Sequence, residues 1–128
     1  MGPERLNLIS KVIVNAAYQI HTDWGPSLME SVYSITLAGE IADRGYTVDR
    51  EKAVPITYRG RTFPEAYRAD LIVEQSLIIE VKSVVALAPI HHKQLLTYLR
   101  LSGCKLGLLI NFGGSSLKEN IKRIVNGL

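Results

Sequence analysis

The sequence predicts an α/β fold in which a mixed four-stranded sheet is flanked by helices, in the element order α-α-β-β-β-α-β-α. Two observations support this class. Two hydrophobic runs, residues 67–73 and 77–82, are separated by a short polar turn, which indicates an antiparallel hairpin. A helical segment then lies between the second run and a later one at residues 106–112, which implies a right-handed parallel crossover. Antiparallel and parallel strands together give a mixed sheet with helices packed against it.

Two helices are predicted at the start of the chain. Apolar residues recur at helical spacing through residues 4–22, and the Trp-Gly-Pro sequence at 24–26 ends this amphipathic helix. A second helix is predicted over residues 28–44, where Gly45 occupies a C-terminal cap position. The stripe that the first helix should bury consists of Leu6, Ile9, Ile13, Ala16, Ala17 and Ile20.

Strands and two shorter helices follow. Residues 46–58 are predicted to be extended, before a turn at 59–60 and the hairpin. Pro89 suits the first turn of a third helix that runs to about Ser102. Residues 106–112 form a continuous apolar run, which is typical of a strand buried on both faces. A short C-terminal amphipathic helix is predicted from the spacing of Leu117, Ile121, Ile124, Val125 and Leu128.

Length and composition restrict the class of protein. The chain has 128 residues, 47% hydrophobic and 21% charged, which predicts one globular domain spanning residues 1–128. No apolar run approaches the roughly 20 residues of a membrane span. The N-terminus lacks the charged-then-apolar order of a signal peptide, and the single Cys104 forms no internal disulfide, so we expect a cytoplasmic protein. The net charge of +3 is a mild indication of a polyanionic partner.

The hairpin carries the residues that point to chemistry. If it is centred on Gln75, Asp70 and Glu80 sit side by side, and Lys82 shares a sheet face with Glu80 and Ile78. Two neighbouring carboxylates repel each other, whereas a divalent cation such as Mg²⁺ or Mn²⁺ would bind both. The pattern therefore predicts a metal site with a lysine beside it. The alternative is an ordinary salt bridge between Lys82 and one of the acids.

These residues resemble a known signature. Asp70 followed by Glu80-Val81-Lys82 resembles the motif of the PD-(D/E)XK nuclease superfamily, and the order of elements resembles its restriction-endonuclease-like core. More closely, the chain is similar to the small bacterial GxxExxY proteins. It differs from their patterns at Ser27, where the name motif has glycine, and at Ala69, where the superfamily has proline. The matching parts are His21 and residues 25–33, 67–71, 80–82, 89–91 and 94–100.

The resemblance implies hydrolysis of DNA phosphodiester bonds with Mg²⁺ or Mn²⁺ as cofactor. It also implies that Lys82 assists the attacking water and that Gln94 supports the site, Gln94 and Tyr98 being similar to the QxxxY motif of RecB-type exonucleases. The metal ligands that it implies are Asp70, Glu80, Glu30, the backbone carbonyl of Val81 and His21. The supporting or nucleic-acid-contacting residues that it implies are Tyr98, His91, Arg68 and Tyr33.

Several of these residues have structural alternatives. Ser27 and Glu30 have the spacing of a capping box, which would explain Glu30 without chemistry. Tyr33 could be a core tyrosine with its hydroxyl bonded, and His21 a structural residue near a helix C-terminus. The stripe formed by His91, Gln94 and Tyr98 could be a partly exposed polar edge.

The function has alternatives as well. One is a nucleic-acid-binding or partner-binding module that keeps the nuclease fold without activity. Another is a structural homodimer that pairs through an apolar sheet edge. Neither the strandedness of the substrate nor attack at ends or interior bonds follows from the sequence.

Overall fold

The computed structural model describes the whole chain, residues 1–128, as three helices and one five-stranded sheet. The elements are α1 (Pro3–Trp24), α2 (Glu30–Asp43), β1 (Val48–Tyr58), β2 (Arg61–Val73), β3 (Leu77–Lys82), α3 (Pro89–Ser102), β4 (Leu106–Asn111), a 3₁₀ turn (Lys118–Asn120) and β5 (Ile121–Val125). The strands are ordered in the sheet as they are in the chain.

Pairing in the sheet is mixed, as the sequence predicts. Only β3 and β4 are parallel, joined by the crossover helix α3, and every other neighbouring pair is antiparallel. The pairs Leu71–Ile79 and Ile72–Ile78 are symmetric about Gln75, which confirms the predicted centre of the hairpin. Glu74 and Gln75 both have positive φ, so two of the three residues that connect the strands, 74–76, are in the left-handed region.

The sheet separates two apolar clusters. The larger one lies between the sheet and helices α1 and α2, and it contains the whole predicted stripe of α1. The smaller one lies on the opposite face, where Leu95 and Leu99 of α3 pack against Ile72 and Ile78. Because β3 and β4 are covered on both faces, their side chains are almost continuously buried.

The C-terminal helix predicted from the sequence is wrong. Residues 121–125 form β5, which pairs antiparallel with β4 and supplies partners for its otherwise open backbone edge. Ile121 packs on the larger cluster and Ile124 in the smaller one, so the two side chains lie on opposite faces of the sheet. Three-residue spacing places side chains on opposite faces of a strand but on one face of a helix, and the pattern alone did not separate the two.

Two further boundaries differ from expectation. Helix α2 begins at Glu30 rather than Leu28, because Met29 is extended and precedes the first turn. Strand β2 begins at Arg61, six residues before the hydrophobic run that predicted it, since residues 61–66 continue the pairing with β1 while remaining exposed. No helix combines the length and the apolarity that crossing a bilayer requires.

Candidate active site

The alternation of side chains along β2 reverses at Asp70. Ala69 and Ile72 both lie in the smaller core cluster, although residues three apart in a regular strand point to opposite faces. Across from Asp70, Glu51 of β1 has a positive φ of 51°, which residues other than glycine rarely adopt. On the N-terminal side of Asp70, the side chains of β2 that face α3 are those that regular alternation would place on the opposite face of the sheet.

Strands β2 and β3 separate at the same place. Their pairing ends at Leu71 and Ile79, and carboxylates occupy the gap that follows. Oδ2 of Asp70 accepts a hydrogen bond from the N–H of Val81 at 2.8 Å, and Oε2 of Glu80 accepts one from the N–H of Asp70 at 3.2 Å. Each acid thus bonds the backbone of the opposite strand, and the two carboxylates lie close together where the strands diverge.

Glu80 is a largely buried carboxylate with a tyrosine as its side-chain partner. The hydroxyl of Tyr67 donates to Oε1 of Glu80 at 2.5 Å, and the Tyr67 ring stacks on Tyr98 of α3 with centroids 3.5 Å apart. Burial, followed by the charge of Asp70, raises the pKa of Glu80 to about 8, against the opposing effect of the Tyr67 hydrogen bond. Burial and the charge of Glu80 likewise raise the pKa of Tyr67. Ionising Glu80 beside Asp70 is therefore unfavourable, and no protein cation is paired with it.

Tyr67 is a site residue that sequence reasoning missed. Regular alternation places Tyr67 on the opposite face from Asp70, and only the reversal at Asp70 brings its hydroxyl to Glu80. Its signal in the sequence is weak, because a buried tyrosine in a strand is usually a packing residue. The stack on Tyr98 links α3 to the carboxylate through Tyr67.

A pocket of about 200 Å³ opens between α2 and the sheet beside Asp70. Ser34 of α2 lines it, and its hydroxyl is the only buried side-chain polar group that has no hydrogen-bond partner. A buried hydroxyl without a partner indicates that a polar species, such as water or a hydrated ion, belongs in the pocket. The lining residues are Glu30, Ser31, Ser34, Glu51, Asp70 and Val81.

Glu30 connects α2 to the end of β3. Its Oε2 accepts a hydrogen bond from the N–H of Ser83 at 3.3 Å, and the Ser83 hydroxyl donates to the carbonyl of Leu28 at 2.7 Å. The capping-box alternative for Glu30 is wrong, because α2 starts at Glu30 with Met29 as its cap residue and Ser27 lies outside the helix. Glu30 is thus held at the rim of the pocket that Asp70 lines.

Lys82 and Gln94 have side chains without partners. Lys82 ends β3, is half-buried and forms no ion pair, so the alternative of a salt bridge with Asp70 or Glu80 is not observed. Gln94 is exposed on α3 and makes no hydrogen bond. His91 has a structural contact: its Nδ1 accepts a hydrogen bond from the N–H of Ala88 at 3.1 Å and caps α3.

The structure does not bring His21 or Tyr33 to the carboxylates. Nε2 of His21 lies 2.9 Å from the carbonyl oxygen of Gly114, a contact that fastens α1 to the loop after β4. Tyr33 is fully buried, its hydroxyl donates to the carbonyl of Gly25, and its ring stacks on Phe112 with centroids 4.4 Å apart. For these two residues the structure favours the packing interpretation over the metal or substrate role.

Arg68 lies on the exposed side of β2, next to the site. Its Nη1 donates to the carbonyl of Glu51 at 2.9 Å, and its Nη2 lies 3.2 Å from the carboxylate of Glu65. The first contact supports the backbone of Glu51 across from Asp70. Arg68 therefore stabilises the irregularity that shapes the site.

Asn111 fastens the segment that follows β3. It is fully buried at the end of β4, next to Lys82. Its amide NH₂ donates to the carbonyl of Val84 at 3.0 Å and to the side chain of Asn120 at 2.8 Å. Its carbonyl oxygen accepts hydrogen bonds from the N–H groups of Val84 and Gly113 at 2.9 and 3.0 Å. The loop between β3 and α3 is thereby held against the end of the sheet.

The arrangement of an acid on β2, a second acid on β3 and a lysine two residues later can be compared with known families. A family model described as the PD-(D/E)XK nuclease superfamily matches residues 7–124. The chain belongs to the PD-(D/E)XK nuclease superfamily. Neither the curated proteins nor the solved structures gave a match. The mixed sheet with helices on both faces is compatible with the restriction-endonuclease-like fold, with five strands rather than the four predicted.

PD-(D/E)XK nucleases usually use divalent metals, and the donors of this chain fit such an ion in part. Asp70 and Glu80 supply two adjacent carboxylates, and hard oxygen ligands are those that Mg²⁺ prefers. A cation would offset the cost of ionising Glu80 beside Asp70. Ser34, whose hydroxyl has no partner, lines the pocket beside Asp70, which Glu80 does not line. No three His, Cys, Asp or Glu side chains lie close enough together to hold an ion. The protein thus offers a two-carboxylate site, of the kind that leaves Mg²⁺ most of its waters.

Stability should depend on pH through Glu80. Its folded-state pKa of about 8 lies above the ordinary value of 4.5, so the folded protein binds the extra proton between these limits. We expect the contribution of Glu80 to the free energy of unfolding, measured without metal, to be greatest below about pH 4.5. This contribution should fall by a few kcal/mol as the pH rises through 8. Urea denaturation at several pH values with EDTA measures this, and Glu80→Gln should flatten the curve.

The exposed Glu119 gives the matched control for this experiment. Glu119→Gln removes the same charge from the surface and should leave the pH dependence of the parent unchanged. If Glu80→Gln and Glu119→Gln gave curves of the same slope, the interpretation of Glu80 as a buried, uncompensated carboxylate would be wrong.

Proposed function

We propose that this chain is a deoxyribonuclease that requires Mg²⁺ or Mn²⁺, that residues 1–128 form one domain, and that it is a member of the GxxExxY group. Superfamily membership supports a nuclease-like function. The observation that carries the proposal is the pair formed by Asp70 and Glu80, with the unpaired Lys82 on the same strand as Glu80. The single cysteine suits a reducing compartment, and we propose the cytoplasm.

In this proposal Asp70, Glu80 and the carbonyl of Val81 hold the cation, with Glu30 contributing from the rim of the pocket. A bound divalent ion lowers the pKa of a coordinated water and polarises the phosphate. Lys82 has no carboxylate to neutralise it, so its ammonium is free to orient the attacking water and to stabilise the charge that develops on the phosphate. Tyr67, packed against Tyr98, fixes the position of Glu80.

Gln94 and Tyr98 have different roles in the proposal. Gln94 is exposed and unpartnered on α3, which leaves its amide free for substrate or an ordered water. Tyr98 is half-buried against Tyr67 and supports the site through that ring. The resemblance to the QxxxY motif of RecB-type exonucleases favours attack at DNA ends, which a comparison of linear and circular substrates tests.

Lys82→Met should reduce cleavage of DNA about 100-fold, because the ammonium that stabilises the transition state is lost while the apolar stem is kept. The measurement is an Mn²⁺-dependent digestion panel of linear, circular and single-stranded DNA, run with parent and variant. Lys105→Met, at the opposite end of the sheet, is the matched control and should cleave like the parent. Equal cleavage by Lys82→Met and the parent would contradict the role of Lys82.

One observation favours a second candidate function. Glu30 lines the pocket beside Asp70, but no three acidic or histidine side chains are close enough together to hold an ion, so the domain could bind nucleic acid or a protein partner without cutting it. Such a module would cleave none of the DNA substrates of the panel and would show no Mn²⁺ binding that depends on Glu80. The homodimer stays a prediction, and β1 and β5 are the two sheet edges that could pair.

A further inference from the structure

The most prominent feature outside the carboxylate site is a two-stranded ribbon. From Lys52 and Ala69 to the turn at Arg59-Gly60, β1 and β2 pair only with each other, because β3 pairs with β2 no further than Leu71. All ten residues from 57 to 66 are exposed. We call residues 52–69 the hairpin arm. At about 3.3 Å per residue, its tip lies roughly 25 Å beyond Asp70.

The arm is strongly basic. It contains four basic residues and one acidic residue, so its charge of +3 equals the net charge of the whole chain. Glu65 is paired with Arg68, and Lys52 with Asp49. The two arginines at the tip have no carboxylate partner: they are Arg59, whose guanidinium lies over the ring of Tyr58, and Arg61.

Two exposed aromatic rings lie on one face of the arm. Tyr58 is 64% exposed and Phe63 51% exposed, although aromatic side chains normally dominate cores. Phe63 pairs with Ile56, which packs against the cluster containing Tyr67, so Phe63 shares a face with the tyrosine that holds Glu80. Tyr58 follows Ile56 by two residues and lies on that same face. The rings therefore extend the surface of the carboxylate site toward the tip.

We propose that the hairpin arm binds a single strand of nucleic acid and guides it to the carboxylates, an inference that rests on the proposed nuclease function. The guanidinium groups of Arg59 and Arg61 have no carboxylate partner and match backbone phosphates. The rings of Tyr58 and Phe63 are platforms on which unpaired bases stack. Positive charge combined with exposed aromatic rings along a track is the pattern of proteins that bind single strands without sequence preference.

The test measures binding of a fluorescent single-stranded oligonucleotide and of its duplex by anisotropy, with EDTA present to prevent cleavage. Arg59→Ala/Arg61→Ala should weaken single-strand binding at least about tenfold and reduce the slope of log affinity against log salt by roughly 1.4. Tyr58→Ala/Phe63→Ala should weaken binding of the single strand about tenfold and that of the duplex far less. Lys11→Ala/Lys105→Ala removes two charges from exposed sites off the arm and should bind like the parent.

A second substrate separates this inference from the proposed function. Bis(p-nitrophenyl) phosphate is too small to span the roughly 25 Å between the carboxylates and the tip. Arm variants should therefore hydrolyse it at the rate of the parent, while they should cut single-stranded DNA at least tenfold more slowly at low substrate concentration. If the arm variants bound the single strand as tightly as the parent, the arm proposal would be wrong and the proposed nuclease function would be unaffected. If the parent cleaved neither substrate, and the arm variants bound the single strand more weakly than the parent, the proposed nuclease function would be wrong and the arm proposal would stand.

Discussion

Asp70→Asn is expected to abolish cleavage of DNA, with a loss of at least roughly 1,000-fold in rate at saturating Mn²⁺. Asn has the shape of Asp but no negative charge, so it removes a hard anionic ligand without leaving a cavity. Its side-chain oxygen still accepts the hydrogen bond from the N–H of Val81, so the separation of β2 and β3 is preserved. The variant therefore tests charge at position 70 rather than folding.

The measurement is the initial rate of digestion of labelled linear DNA with Mn²⁺, accompanied by circular dichroism and thermal melting to establish the fold. Asp43→Asn, at the exposed C-terminal end of α2, is the matched control and should cleave at the parent rate. A folded Asp70→Asn protein that cleaves as fast as the parent would remove Asp70 from the site and with it the nuclease mechanism.

Asn111→Ala is expected to have the largest effect on stability, lowering the free energy of unfolding by about 3–5 kcal/mol. The amide of Asn111 makes four hydrogen bonds in a fully buried position, including those to the N–H groups of Val84 and Gly113. Truncation leaves these partly buried donors without acceptors, which costs more than the net value of the bonds that are lost. The loop between β3 and α3 should loosen as well, because Asn111 is what fastens Val84 to the sheet.

Urea denaturation of parent and variant measures this effect, with hydrogen exchange of the Val84 amide as a local readout. The exposed Asn15 of α1 makes no side-chain hydrogen bond, and Asn15→Ala should change the stability by less than about 0.5 kcal/mol. If Asn111→Ala also cost less than about 1 kcal/mol, the hydrogen bonds around Asn111 would not determine the position of the loop.

Much of the fold can be predicted from the local spacing of apolar and polar residues, because the apolar positions are those that the structure buries. The stripe on α1 is fully buried, and the hairpin turns about Gln75 as its polar residues indicate. The C-terminal segment could not be assigned in this way, since Ile121 and Ile124 suit both a helix and a strand, and the open edge of β4 decides between them.

The site was predicted less completely than the fold. The predicted centre of the hairpin placed Asp70 opposite Glu80, and the two residues lie one position beyond the last strand pair, Leu71 and Ile79. The part that could not be predicted is Tyr67, because it depends on a reversal of alternation that involves the strained backbone of Glu51 on another strand. Tyr33 and His21 entered as candidates through resemblance, and their hydrogen bonds to the backbone of Gly25 and Gly114 give them structural roles.

Calorimetric titration with Mn²⁺ tests the central claim, that the carboxylates of Asp70 and Glu80 tolerate each other by sharing a cation. We predict that the parent binds Mn²⁺ at this site, with tighter binding and fewer released protons at pH 9 than at pH 7, because Glu80 has a pKa of about 8 and must lose its proton to become a ligand. Glu80→Gln should abolish this binding, whereas Glu119→Gln should leave it intact. Absence of Mn²⁺ binding by the parent, or equal binding by Glu80→Gln, would contradict the claim.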